Sequence, residues 1–309
     1  VNHDDLPLPI DLYAAARALA YLAALTLIGA CAFAALVPRW RRSGDDDRSL
    51  AARALSGAWR VAAIAAPVLL VAHFLRAWGQ VRSFLDPVEP LSWEAARPIL
   101  LATAWGRGWL AQVATAAVSV PLAFVAPRRP AIGLALLGTA ALAVAGTDPL
   151  TGHAVEHPWG AGLGVGLHAL HLLGGGLWLG TLFTMFRAGL GIARDADATD
   201  VAEMVAAFSP LALIGAGLAV GAGSLLGVAY IGDFASLWGT TYGRALLIKL
   251  CLLGATMGFG AWNWRRVRPR LGSPAATTEM RRSAGLELLI GLALIAVTAV
   301  LVALPAPKL

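Results

Sequence analysis

Residues 148–185 read DPLTGHAVEHPWGAGLGVGLHALHLLGGGLWLGTLFTM, and four of the six histidines of the chain lie in them. His153 and His157 fall in a polar connector, whereas His168 and His171 fall inside a long apolar segment. On a helix, positions i, i+3, i+7 and i+10 share one face, so His168, His171, Gly175 and Trp178 are expected to form a single stripe. An imidazole within hydrocarbon is costly unless it has a partner or a task, which makes the intramembrane pair a candidate site.

The surroundings of this stretch are strongly apolar. Of 309 residues, 58% are hydrophobic and only 14% charged, with a mean hydropathy of +0.71. Such a balance excludes an ordinary soluble domain and predicts an integral membrane protein. The net charge of +6 comes from arginines in short loops, a pattern that reports membrane orientation rather than nucleic-acid binding. Cys31 and Cys251 lie in separate apolar segments and do not form a disulfide framework. His3, Asp4 and Asp5 precede a full-length apolar segment, so the first segment is expected to span rather than to be a cleaved leader.

About 20 apolar residues cross the hydrocarbon, and eight stretches qualify, near 12–37, 60–84, 108–126, 131–148, 161–187, 208–231, 242–264 and 284–304. Arg39, Arg41, Arg42, Arg48 and Arg53 follow the first. Arg128 and Arg129 separate the third and fourth, Arg187 and Arg194 follow the fifth, and Arg265 to Arg282 contribute six more before the eighth. These alternate connectors are predicted to be cytoplasmic and both termini to lie outside. The connector holding His153 and His157 has no Lys or Arg and is placed outside. The longer outer connector, residues 86–107, carries Trp93 and Trp105 and is expected along the interface. Glycines such as Gly215, Gly217, Gly221, Gly223 and Gly227 are expected to allow close helix approach.

An internal repeat accompanies this layout. TAWGRGWLAQ (103–112) matches TTYGRALLIK (240–249), and Arg128-Arg129-Pro130-Ala131 matches Arg281-Arg282-Ser283-Ala284. RALAYLAALTLIG (17–29) matches HALHLLGGGLWLG (168–180) more weakly. The expected fold is an all-α polytopic membrane protein, its eight helices forming two parallel four-helix repeats over residues 1–150 and 151–309. Arg17 and Ala20 stand where the second copy has His168 and His171, so a site there is asymmetric.

At ~1.5 Å per residue, His168 lies about 10 Å and His171 about 15 Å below the outer surface. His73 of the second segment reaches a similar level, about 20 Å from the cytoplasmic side. Imidazole ligates copper, zinc and haem iron. His153, His157, His168, His171 and His73 are the candidate metal ligands, with Trp178 lining the same face. Cys31, Cys251, Met185 and Met257 offer sulfur suited to Cu(I) as an inner path, although thiols and thioethers in apolar helices often only pack. Arg76, one turn from His73, repels a cation there unless it points elsewhere. Lys249 is expected to pair with a carboxylate or carbonyl, Asp148 and Asp233 to cap helix ends, and Glu287 to begin the eighth helix at the cytoplasmic face.

GHA (152–154), HLLGGGLWLGTL (171–182), YGRALLIKL (242–250), WNWRRVRPRL (262–271) and RRSAGLELLIG (281–291) together resemble the bacterial copper-resistance protein D (CopD) family. Thr181 departs from that pattern, standing where a second glycine is expected. The resemblance implies an inner-membrane protein that moves copper from periplasm to cytoplasm beside a CopC-like periplasmic copper-binding partner. It carries over best onto His153 and His171. A carrier rather than an enzyme is expected from that resemblance, and the sequence has no GxxxxGK[ST] stretch to indicate ATP hydrolysis. Two other readings remain open: a haem b protein with His73 and His168 or His171 as axial ligands, and an assembly factor that transports nothing.

Overall fold

The computed structural model describes residues 9–42, 46–86, 88–231 and 233–304, without the side chains of 9–12 and 153. Among these residues no strand occurs, and eight helices are long and apolar enough to cross a membrane. They are α1 Pro9–Leu36, α2 Leu50–Arg82, α3 Ala104–Val125, α4 Pro130–Thr147, α5 Ala161–Leu190, α6 Ala198–Ile231, α7 Thr241–Trp262 and α8 Pro274–Ala303. Each expected span is present.

Several helices outrun the apolar stretch that announced them. Hydropathy marks the hydrocarbon, whereas a helix continues until a cap ends it. Ser49 Oγ accepts the Ala52 N–H and starts α2. Ser273 Oγ accepts the Ala276 N–H, and with Pro274 in the first turn it starts α8 ten residues before the sequence reading at 284. α2, at 33 residues, is ~50 Å long against a hydrocarbon core of ~30 Å.

The two GR motifs fold alike. Thr103 Oγ1 accepts the Gly106 N–H and Thr240 Oγ1 the Gly243 N–H, each at 2.9 Å, and each threonine donates to a carbonyl four residues back. A short helix precedes each, Trp93–Ala102 and Ser236–Gly239. The glycines sit against that preceding helix; a Cβ on Gly106 would meet Leu100 O at 2.2 Å, and one on Gly243 would meet Ser236 O at 2.1 Å. The first of these helices packs Ala96 and Leu100 on Ala77, Val81 and Trp109. Asp233 caps the second through the Ser236 N–H, and that hydrogen bond holds its carboxyl below the usual range.

α1 is the most buried span and α7 the least. Around α1 pack α2, α4, α5 and α8, through a core rich in alanine. Without a hydrophobic drive between helices in lipid, small side chains and close backbones hold such a bundle. The closest approach joins α1 to α5: a Cβ on Gly180 would meet Leu25 O at 1.9 Å, and one on Gly29 would meet Gly180 C at 1.9 Å. There α5 widens into a π turn, Gly176–Gly180, with a second at Phe186–Leu190. Thr181, fully buried, donates its hydroxyl to Gly176 O across the first π turn. A glycine at 181 would leave that turn without this hydrogen bond, a local reason for the departure noted in the sequence.

The α6 glycines divide. Gly215 lies on Gly174 and Trp178, and Gly223 on the His171 ring, whereas Gly217, Gly221 and Gly227 face open space.

Candidate functional site

His168 and His171 sit in the first half of α5, on the side of the bundle where the connector from Asp148 to Gly160 lies. His168 Nδ1 lies 2.9 Å from Gly164 O one turn back, and His171 Nδ1 lies 2.6 Å from Ala219 O on α6. A carbonyl only accepts, so both Nδ1 atoms carry the proton and Nε2 is the basic nitrogen in each ring. Metal-binding histidines are commonly oriented in this way, with a backbone carbonyl fixing the tautomer. Gly223 is what lets His171 lie so near α6, because a Cβ there would come within 2.8 Å of the ring. Lys249 of α7 acts electrostatically on His171, and among the described residues its ammonium meets no carboxylate within 4.0 Å.

His157 is built the other way round. Its Nδ1 accepts the Trp159 N–H at 3.1 Å, so the proton sits on Nε2. That atom is buried without a hydrogen-bond partner. The ring stands edge-on to Trp159 and to Tyr230, and His168 stands edge-on to the same Tyr230. Tyr230 thus joins the connector histidine to the helix histidine. The backbone of His153 opens the 3-10 turn His153–Glu156, but its side chain lies outside the described residues.

Burial holds the His157 ring below its ordinary value of 6.5. The unfolded chain therefore binds the extra proton first. Stability from the neutral ring is present above about 6.5 and lost as pH falls below it. A thermal melt in detergent is expected to drop between pH 7.5 and pH 5, and His157→Phe to flatten that part of the drop.

His73 lies on α2, 2% exposed, with Nδ1 unpartnered and its carbonyl accepting the Trp109 indole at 2.9 Å. Arg76 donates to Gln112 Oε1 at 3.1 Å and to Thr151 Oγ1 at 2.7 Å, yet its charge still acts on His73, so the expected opposition to a cation there stands. Gln112 in turn donates to Thr147 O, Asp148 O and Thr151 Oγ1. Asp148 lies within the field of both Arg76 and Arg17, although among the described residues it makes no ion pair with either within 4.0 Å. Arg17, 5% exposed, donates to Tyr13 OH and to Val302 O. No three His, Cys, Asp or Glu side chains among the described residues form a group that holds a metal.

The sulfur side chains are split between interior and surface. Cys31 and Met185 are buried, whereas Cys251 and Met257 are exposed on α7. The four do not line one path within this chain.

The stripe predicted along α5 ends at His171. Gly175 faces Leu25 of α1. Trp178, inside the π turn, sends its indole N–H to Glu287 Oε1 on α8 at 3.3 Å. Asn263, at the end of α7, donates to Glu287 Oε2 at 3.1 Å. Trp178 was expected to line the histidine face, and Glu287 to sit at a helix start. Because α8 begins at Pro274, Glu287 is instead 13 residues into the helix and 3% exposed. An intramembrane carboxylate held by two donors marks a second polar centre. The signal was present in the sequence: Trp178, Asn263 and Glu287 each lie in a motif that carries the family resemblance.

Residues 8–165 match the family model of the copper resistance protein D-like N-terminal domain, and residues 202–301 match copper resistance protein D. The chain belongs to the copper resistance protein D family. The N-terminal match takes in His73, His153 and His157, and the second match takes in Lys249, Asn263 and Glu287. His168, His171 and Trp178 lie between the two matched regions. The copper transport protein CutJ of Bacillus subtilis (strain 168) is 32% identical over 159 residues, which is 51% of this chain and 28% of that relative. The match therefore spans less than a third of the length of CutJ. No solved structure matches the chain. Family and helices together give a copper-related multi-pass membrane protein.

Proposed function

We propose that this chain carries copper inward across the bacterial inner membrane, as a transporter rather than an enzyme. In this reading both termini face the periplasm, residues 1–150 and 151–309 form two parallel four-helix units, and a CopC-like protein delivers the ion. Copper is the cargo. His153 and His157 receive it at the outer mouth, and His168 and His171 take it into α5. The observation that carries the reading is the shared orientation of His168 and His171, each with Nδ1 on a carbonyl and Nε2 left as the basic nitrogen. The field of Lys249 opposes a cation beside His171. That opposition suits a station that passes its ion on rather than stores it. A negative interior adds about 2.3 kcal/mol per charge per 100 mV to inward movement.

The test is copper bound per purified protein, with copper uptake by cells, for wild type and for the His168→Ala/His171→Ala double variant. Loss of bound copper together with a fall in uptake is the expected result. Unchanged stoichiometry removes these two histidines from the route. A Soret band in the wild-type protein replaces copper with haem.

A further inference from the structure

A groove of about 890 Å³ runs between α1, α2, α5 and α8. On α2 its wall is a stripe at Arg53, Gly57, Arg60, Val61, Ile64 and Val68. Inward from Arg60 to Val68 that stripe is ~12 Å long, and the facing α8 wall from Gly285 to Ile295 is ~15 Å, about one leaflet of a ~30 Å hydrocarbon core. Leucine, isoleucine and phenylalanine line the opposite side, and the rim is exposed, with Ile64 at 66% and Leu289 at 63%.

The charges stand only at one end. Arg53, Arg60 and Arg187 close the groove on its arginine-rich side. Arg53 is engaged by Asp197. Arg60 and Arg187 are exposed, and among the described residues neither meets a carboxylate within 4.0 Å. Apolar walls of acyl-chain length that end in two unneutralised guanidinium groups at headgroup depth complement an anionic phospholipid.

We propose that this groove is a binding site for an anionic phospholipid, its tails along α1, α2, α5 and α8 and its phosphate held by Arg60 and Arg187. The site makes no use of the histidines, so it stands apart from the copper reading. A lipid seated there fills the opening between α2 and α8.

Native mass spectrometry tests this on the full chain, purified and exchanged against vesicles of phosphatidylglycerol or phosphatidylcholine. The wild type is expected to retain phosphatidylglycerol preferentially. Retention should fall roughly fivefold for each arginine removed in Arg60→Ala and Arg187→Ala, and be largely kept in Arg60→Lys/Arg187→Lys. Circular dichroism of each variant separates loss of lipid from loss of fold. The proposal is overturned by equal retention of the two lipids. It is equally overturned by unchanged retention in a folded double-alanine variant, or by a dimer that excludes lipid from the groove.

Discussion

Gly180→Val is expected to abolish the folded bundle. At this position α5 lies on α1 backbone to backbone, and even a Cβ would stand 1.9 Å from Leu25 O and 2.7 Å from Leu25 C. No rotamer relieves such a clash, because the obstructing atoms belong to the main chain of the most buried helix. Overpacking in a core typically costs 1–3 kcal/mol. Here α1 and α5 must separate along their length, and a loss above ~3 kcal/mol is expected. The measurement is a thermal melt with size-exclusion behaviour in detergent. Gly217→Val is the control, since nothing lies within 4 Å of a Cβ there; it should melt near wild type. A Gly180→Val protein that melts like the control would refute the α1–α5 contact.

The second large effect concerns Glu287. Glu287→Ala removes the acceptor of both the Trp178 indole and the Asn263 amide, in a place where water does not replace it. Each buried donor left unpaired costs about 1–3 kcal/mol, so a loss of roughly 2–6 kcal/mol is expected. Asn263 Oδ1 already lacks a partner. In Glu287→Gln the new carbonyl accepts from Trp178, and the new amide can donate to Asn263 Oδ1 once the Asn263 amide turns over. The glutamine variant should therefore melt close to wild type and the alanine variant far below it. Tryptophan fluorescence should report the freed indole in alanine alone. Equal losses in the two variants would mean that the charge of Glu287, rather than its hydrogen bonds, holds α5, α7 and α8 together.

The spans were legible because crossing hydrocarbon imposes a length and a composition that nothing else in a chain of this kind satisfies. Their ends were less so. Ser49 and Ser273 set where α2 and α8 begin, and a cap is a single residue with no period. That one error moved Glu287 from a helix start to the buried interior, and with it hid the contact to Trp178. The histidine pair was visible from spacing alone. Its partners, Ala219 and Gly223 on α6, were not, since the approach of two helices depends on which glycines face inward. Sequence alone treats Gly217 and Gly223 alike; packing separates them. The first half holds the least legible feature. Arg17, Arg76, Gln112 and Asp148 come from four different stretches of chain, and only the bundle brings their fields together.

The two π turns give α5 an unusual relation to insertions and deletions. Each turn carries one residue more than a regular helix needs, and each residue turns the chain by about 100°. Deleting one residue between Gly176 and Gly180 would shorten α5 little. It would let the π turn close into regular helix, so the halves on either side keep their faces toward their neighbours; one residue removed from the regular turns between His171 and Gly176 would instead rotate them against each other by that ~100°. The glycines of the first π turn are thus the place where α5 can lose one residue without turning its outer half against its inner half.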